Sequence, residues 1–202
     1  PVSQLTLPKI LKRNGYKTGM VGKWHLTGYK YQDAQFEVRP KDHGFDWNIG
    51  SEIKGVGNGA NFWPYVFRTQ PISWIDLPTN RMGKEEYLTD RLNLEAVDFI
   101  ERNKEKPFFL FLSFNAPHLP LEATEKYLKR FASIKDPKRR TYAAMVSAVD
   151  DGVGLILKSL IENGLDEKTI VVFLSDNGGP TTKNASRNAP LRGKKSDVWE
   201  GG

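Results

Sequence analysis

Three short segments of this chain set polar groups capable of chemistry just past an apolar run. The first is Gly22-Lys23-Trp24-His25, where a cation and an imidazole stand two residues apart. In extended backbone such a pair faces the same way. That suits an anionic group that must be held while protons move around it, with a satisfied surface histidine as the plain alternative.

The second segment, Asn115-Ala116-Pro117-His118, delivers His118 where a buried strand should reach solvent. A structural capping histidine is the other reading. The third, Ser175-Asp176-Asn177-Gly178-Gly179, offers a carboxylate, an amide oxygen and two glycines that permit close backbone approach. Oxygen-only donors of this kind prefer Ca²⁺ or Mg²⁺ over zinc, although two residues do not complete a site and a plain turn has the same composition. Shortly after it, Lys194 and Lys195 lie in a basic loop that runs on to Glu200-Gly201-Gly202. Each feature alone has a structural explanation; their convergence in one chain argues for a site.

The elements that must position these residues alternate. Residues 6–14 read as a helix, with Pro8 in its first turn and Gly15 ending it, and residues 16–21 as a strand. Residues 30–81 are rich in Gly, Asn and Pro and read as loop-rich surface. A second helix is expected over 84–103, followed by an apolar run at 108–114 typical of a strand buried on both faces. Asp136-Pro137 marks an N-cap and first helical position. Behind it Tyr142, Met145, Val149, Val153, Ile156 and Leu160 recur at helical spacing until Asn163-Gly164. A β-branched run at 169–175 reads as another central strand. Alternation of this kind argues for an α/β layered sheet, in which reactive groups sit past the carboxyl ends of the strands.

With 202 residues and 39% apolar composition, the chain suits one globular domain or part of one. It contains no cysteine, which removes disulfides and thiolate metal sites from this stretch. No run approaches the length of a membrane span, and no leader sequence is visible. Both ends read as cut. A net charge of +6 favours anionic partners, and nucleic acid, sulfated glycans and phosphate esters all qualify on charge.

The segment from Gly15-Tyr16-Lys17-Thr18-Gly19 to Gly22-Lys23-Trp24-His25-Leu26 resembles the second signature of the type I sulfatases. Ala116-Pro117-His118, Ser175-Asp176-Asn177-Gly178-Gly179-Pro180 and Leu191-Arg192-Gly193 to Glu200-Gly201-Gly202 resemble further blocks of that family, in its order. The likeness is specific across 16–26 and 142–202 and weak between about 29 and 106.

This resemblance implies an alkaline-phosphatase-like fold, a three-layer α/β/α sandwich with a mostly parallel central sheet, here incomplete. Residues 1–202 would be part of the large catalytic domain. It implies that Lys23 and His25 contact the hydroxyls of a formylglycine hydrate, and that His118 binds sulfate and assists departure of the alcohol. Asp176 and Asn177 would be Ca²⁺ ligands, joined by an Asp pair upstream. Lys195 rather than Lys194 takes the place of the sulfate-binding lysine, with Ser196 standing where the family usually has Gly. No Cys-or-Ser, x, Pro, Ser, Arg segment is present, so the residue that becomes formylglycine is expected upstream and this stretch alone should not turn over.

The implied substrate is a sulfated carbohydrate or small sulfate ester, with neither nucleic acid nor a membrane span involved. A formylglycine-generating maturation enzyme is the implied partner, and an exported location (periplasmic, secreted or lysosome-like) is expected. Two rivals stand beside this reading: a phosphomonoester or phosphonate hydrolase of the same superfold, for which three histidines make a two-zinc site hard to build, and a non-catalytic sulfated-glycan binder. Gly55-Val56-Gly57-Asn58-Gly59 reads as a flexible loop, Asn184-Ala185-Ser186 as a chance glycosylation sequon, and Lys138-Arg139-Arg140 as a solvated helix start. His43 and the aromatic stretch 61–74 are candidates for substrate contact.

Overall fold

The structure is a computed structural model. It describes residues 2–24, 26, 39–52, 61–63, 65–67, 70–71, 74–75 and 81–202. His25, the glycine-rich loop 55–59 and part of the aromatic stretch lie outside the described residues.

Helix α1 (Leu7–Arg13) starts with proline in its first turn, and Gly15, at φ 85°, turns the chain out of it. Strand β1 (Lys17–Gly22) follows and is buried from Thr18 onward. It is the middle strand of a parallel three-stranded sheet. On one side it pairs with β2 (Trp47–Ile49), on the other with β7 (Phe108–Ser113), Gly22 standing opposite Ser113. Two short antiparallel pairs lie apart from this sheet: β3 (Ser51–Glu52) with β6 (Trp74–Ile75), and β4 (Val66–Phe67) with β5 (Gln70–Pro71).

Helix α2 (Leu88–Asn103) covers one sheet face. Leu88 and Leu92 pack with Val21, Ile49 and Tyr65, and Phe99 packs on Trp47 and Phe108. Each such side chain contributes about 2 kcal/mol by leaving water. Gly19 is required beneath Phe99, since a Cβ there would lie 2.3 Å from the ring. The helix begins at Leu88 rather than 84 because the preceding turn is held by Glu86, which accepts the main-chain N–H groups of Arg81 and Met82. Arg91 joins Glu86 to Glu95 in a buried ion-pair cluster, Nη1 at 2.9 Å from one carboxylate and Nε at 2.7 Å from the other.

Strand β7 alternates as its sequence demands: Phe108, Leu110 and Leu112 face α2, whereas the rings of Phe109 and Phe111 stack on Phe45. The expectation of full burial on both faces does not hold. Phe111 is 44% exposed in these 202 residues, with the Phe45 ring stacked on it. Residues 169–175 are apolar as expected but pair with no strand among the described residues, and Ile170 is 91% exposed. β-propensity supplies a surface for pairing; a strand also needs a neighbouring ladder.

Helix α3 (Glu125–Arg130) and the long α4 (Pro137–Glu162) complete the layer behind α2. Asp136 caps α4 by accepting from the N–H groups of Lys138 and Arg139, as its sequence indicates. The buried stripe of α4 runs through Ala144, Met145, Ala148, Gly152, Ser159 and Leu160. It is narrower and smaller in side chain than the periodic Tyr142–Leu160 set suggests, because α2 approaches closely: a Cβ on Gly152 would lie 2.1 Å from Asn93.

Candidate active site

Lys23 is aimed by the bend at Gly22. That glycine has φ 97°, and a Cβ on it would meet the Ser113 carbonyl at 2.0 Å, so no other residue fits. The Lys23 N–H then donates to the same carbonyl at 2.8 Å, fixing the end of β1 against the end of β7. Beside it, the Trp24 ring lies 5.5 Å from that of His43 and 6.2 Å from that of Phe45.

At the end of β7, a turn in which the His118 N–H donates to the Asn115 carbonyl at 2.8 Å brings His118 back over the sheet edge. Its Nδ1 lies 2.9 Å from the Leu119 carbonyl oxygen. Nδ1 must carry a proton to use that acceptor, which leaves Nε2 as the free nitrogen of the neutral ring. Burial lowers the His118 pKa below its ordinary value, and the positive charges of Lys23 and Lys195 lower it further. The Leu119 carbonyl and the Asp176 carboxylate oppose this, so the charges of three other segments act on one imidazole.

The third segment is held by its glycines. A Cβ on Gly178 would lie 1.7 Å from the Gly201 carbonyl oxygen, and one on Gly179 would lie 2.1 Å from Ser186 Oγ. These approaches join the Asp176 turn to the end of the basic loop, where the Gly178 N–H donates to the Gly202 carbonyl at 2.9 Å. Asn188 is the hub: its Oδ1 accepts from the Gly179 N–H, and the two N–H groups of its Nδ2 are shared among the carbonyls of Gly179, Gly193 and Gly201 at 2.9–3.1 Å. The Lys195 N–H donates to the Gly179 carbonyl at 3.3 Å, which sets Lys195 beside Asp176 and Asn177. Arg192 stacks on the Trp199 ring at 3.7 Å.

Of the expected site residues, Lys23, Asp176 and Lys195 lie near enough to His118 for their charges to act on it; Asn177 is next to Asp176 in the same turn. His25 lies outside the described residues. His118 and Lys195 line a cleft of about 660 Å³, together with Pro180, Lys183, Lys194 and Ser196. Asn188 and Lys183 were not singled out by sequence; an Asn in a loop carries no pattern that reveals four hydrogen bonds. Ser196 has φ 81°, a left-handed conformation that favours Gly.

As for a metal, Asp176 forms no ion pair among the described residues, and Asn177 spends its amide nitrogen on the Gly178 carbonyl. The remaining oxygens match a hard cation in donor chemistry and would supply part of its shell. No group of three His, Cys, Asp or Glu that could hold a metal occurs among the described residues.

Other candidates resolve into structure. Asn184 is 4% exposed and accepts from the Ser186 N–H, which leaves no room for a glycan. Arg139, expected to be solvated, donates to the Ala185 carbonyl at 2.9 Å and braces the loop beside the cleft. Tyr65 is 1% exposed and Phe62 packs on Tyr87, so these members of the aromatic stretch belong to the core and do not form a platform for sugar rings.

The sequence pattern of the family described as Sulfatase matches residues 1–202. The chain is 35% identical to arylsulfatase J of Mus musculus, covering 100% of this chain and 33% of that protein. It is 33% identical to N-acetylgalactosamine-6-sulfatase of the same organism, over 100% of this chain and 39% of that one. Among solved structures, Ps i-CgsB in complex with k-i-k-neocarrahexaose is 37% identical with a TM-score of 0.79, over 100% of this chain and 46% of that chain. The 202 residues therefore span between a third and a half of the length of these relatives, and their layers are those of an incomplete α/β sandwich.

Proposed function

Because this chain belongs to the sulfatase family, we propose that the cleft at His118 is part of a site that hydrolyses O-sulfate esters, with a sulfated carbohydrate as substrate. The observation that carries this reading is the convergence on His118 of two lysines and a carboxylate from three other segments. The names of the similar proteins, N-acetylgalactosamine-6-sulfatase and a neocarrahexaose complex, favour a saccharide over a small aryl ester.

Lys195 holds the sulfate by charge. His118, whose protonation burial and the two lysines disfavour, gains a proton as the arriving anion offsets those charges, and passes it from Nε2 to the departing alcohol oxygen. Lys23 and His25 would favour the deprotonated form of a formylglycine hydrate, whose parent Cys or Ser would lie outside these 202 residues and whose conversion would require a maturation enzyme. Asp176 and Asn177 would hold Ca²⁺, which supplies Lewis acidity toward a sulfate oxygen when bound. No helix among the described residues is long and apolar enough to cross a membrane, and the proposed location is exported.

The test uses the full-length protein with 4-nitrophenyl sulfate. His118→Ala and Lys195→Ala should each lower turnover by at least about tenfold, the lower end of what loss of a general acid costs. Unchanged rates in both variants would remove the assignment. For the rival phosphatase reading the probe is 4-nitrophenyl phosphate, which should be turned over far more slowly.

A further inference from the structure

The cleft contains more cationic groups than one sulfate requires. Besides His118 and Lys195 it is lined by Lys183 and Lys194, and no acidic residue lines it. Lys195 is half-buried, whereas Lys183 and Lys194 are exposed on the same cleft wall. Neither of their ammonium groups forms an ion pair or hydrogen bond among the described residues. The nearest carboxylate in sequence, Asp197, is engaged by the Lys194 main-chain N–H at 3.0 Å. A volume of about 660 Å³ belongs to clefts that hold a whole small ligand.

These two lysines are carried on braced turns. The Lys183 turn is closed by the Thr181 N–H, which donates to Ser186 Oγ at 3.0 Å, and is backed by Arg139 on the Ala185 carbonyl at 2.9 Å. The Lys194 turn is closed by the Asp197 N–H on the Lys194 carbonyl at 2.9 Å. The segments that carry them are tied through Asn188, which bonds Gly179 ahead of one turn and Gly193 ahead of the other. The backbones that carry these two unpaired cations are fixed to each other, so an arriving anion has only the two lysine side chains to order.

We infer that Lys183 and Lys194 form a second anion subsite, which binds a further sulfate or carboxylate of the same saccharide while His118 and Lys195 hold the scissile sulfate. The inference rests on the sulfatase reading and narrows its substrate to a polyanionic sugar.

Calorimetric binding to the full-length protein tests it without depending on turnover. The probes are a disaccharide sulfated on both rings, its counterpart with one sulfate, and a monosulfated disaccharide bearing a uronate. The doubly sulfated probe should bind about tenfold more tightly than the monosulfated one, as expected for two exposed charge contacts. In Lys183→Gln/Lys194→Gln that ratio should fall toward one, and in Lys183→Arg/Lys194→Arg it should persist. A tight uronate probe identifies a general anion subsite; a weak one identifies a sulfate subsite. A ratio that the glutamine pair leaves unaltered overturns the subsite even if 4-nitrophenyl sulfate is turned over. Loss of the sulfatase reading would show separately, as absence of that turnover in the unaltered protein.

Discussion

Asn188 meets Gly179 twice, accepting from its N–H at 3.0 Å and donating to its carbonyl at 2.9 Å. A single side chain thereby reproduces the pairing of a strand neighbour and locks the Asp176 turn to the loop that carries Lys195. Replacing it by Ala leaves the Gly179 N–H and three carbonyls without this partner. At about 1 kcal/mol per partly buried bond, Asn188→Ala should cost roughly 2–4 kcal/mol in urea unfolding of the full-length protein. Sulfate-ester turnover should fall with it. A variant as stable as the parent would show that the hub is dispensable.

The lowered pKa of His118 fixes a sign. The fold resists protonation of the ring, so the group's contribution to stability is complete above the ordinary value of 6.5 and is lost as pH falls from there through the lower folded-state value. A bound sulfate reverses the balance, because an anion beside the ring favours the charged form. Sulfate binding to the full-length protein should therefore take up a proton, read as a buffer-dependent heat in calorimetry. His118→Gln should abolish that dependence.

As the proposed metal ligands, Asp176 and Asn177 would offer oxygen donors, which favour a hard cation. Treatment of the full-length protein with EDTA should lower activity, and Ca²⁺ should restore it better than Zn²⁺. Asp176→Asn should weaken Ca²⁺ binding by at least about tenfold, because one of the anionic donors is lost. Rescue by zinc alone would favour the phosphatase chemistry.

Ser196 holds a left-handed φ of 81° on the wall of the cleft. For a residue other than Gly this costs on the order of 1 kcal/mol, part of which the greater freedom of unfolded glycine offsets. Ser196→Gly should raise unfolding stability by about 0.5 kcal/mol and leave the Lys195 contact with Gly179 in place. A loss of more than about 1 kcal/mol would mean that the Ser196 side chain has a stabilising role.

Much of this was legible from residue types. Helical spacing, with proline and glycine at the ends, announced α1 and α4, and the strand ends at Gly22 and Ser113 pointed to Lys23 and His118. What stayed hidden depends on three-dimensional closeness. Nothing in the spacing of Asn188 marks it as a hub, and Arg139 looks like any basic residue of a first helical turn. Gly152 shows its reason only when Asn93 of another helix comes to rest on it. The run at 169–175 carries the composition of a strand, but pairing belongs to two segments and cannot be read from one.

The buried ion cluster of α2 has a mechanical meaning. Arg91 is gripped from both sides, by Glu86 before the helix and Glu95 one turn on. Turning the helix by one residue would strand charges in apolar packing, at a cost of about 3–5 kcal/mol for a broken buried pair. The cluster therefore works as a key that admits one azimuth. That azimuth sets Leu92 where its Cδ1 would lie 3.5 Å from a Cβ on Gly22, so the orientation of the helix is transmitted to the bend from which Lys23 emerges.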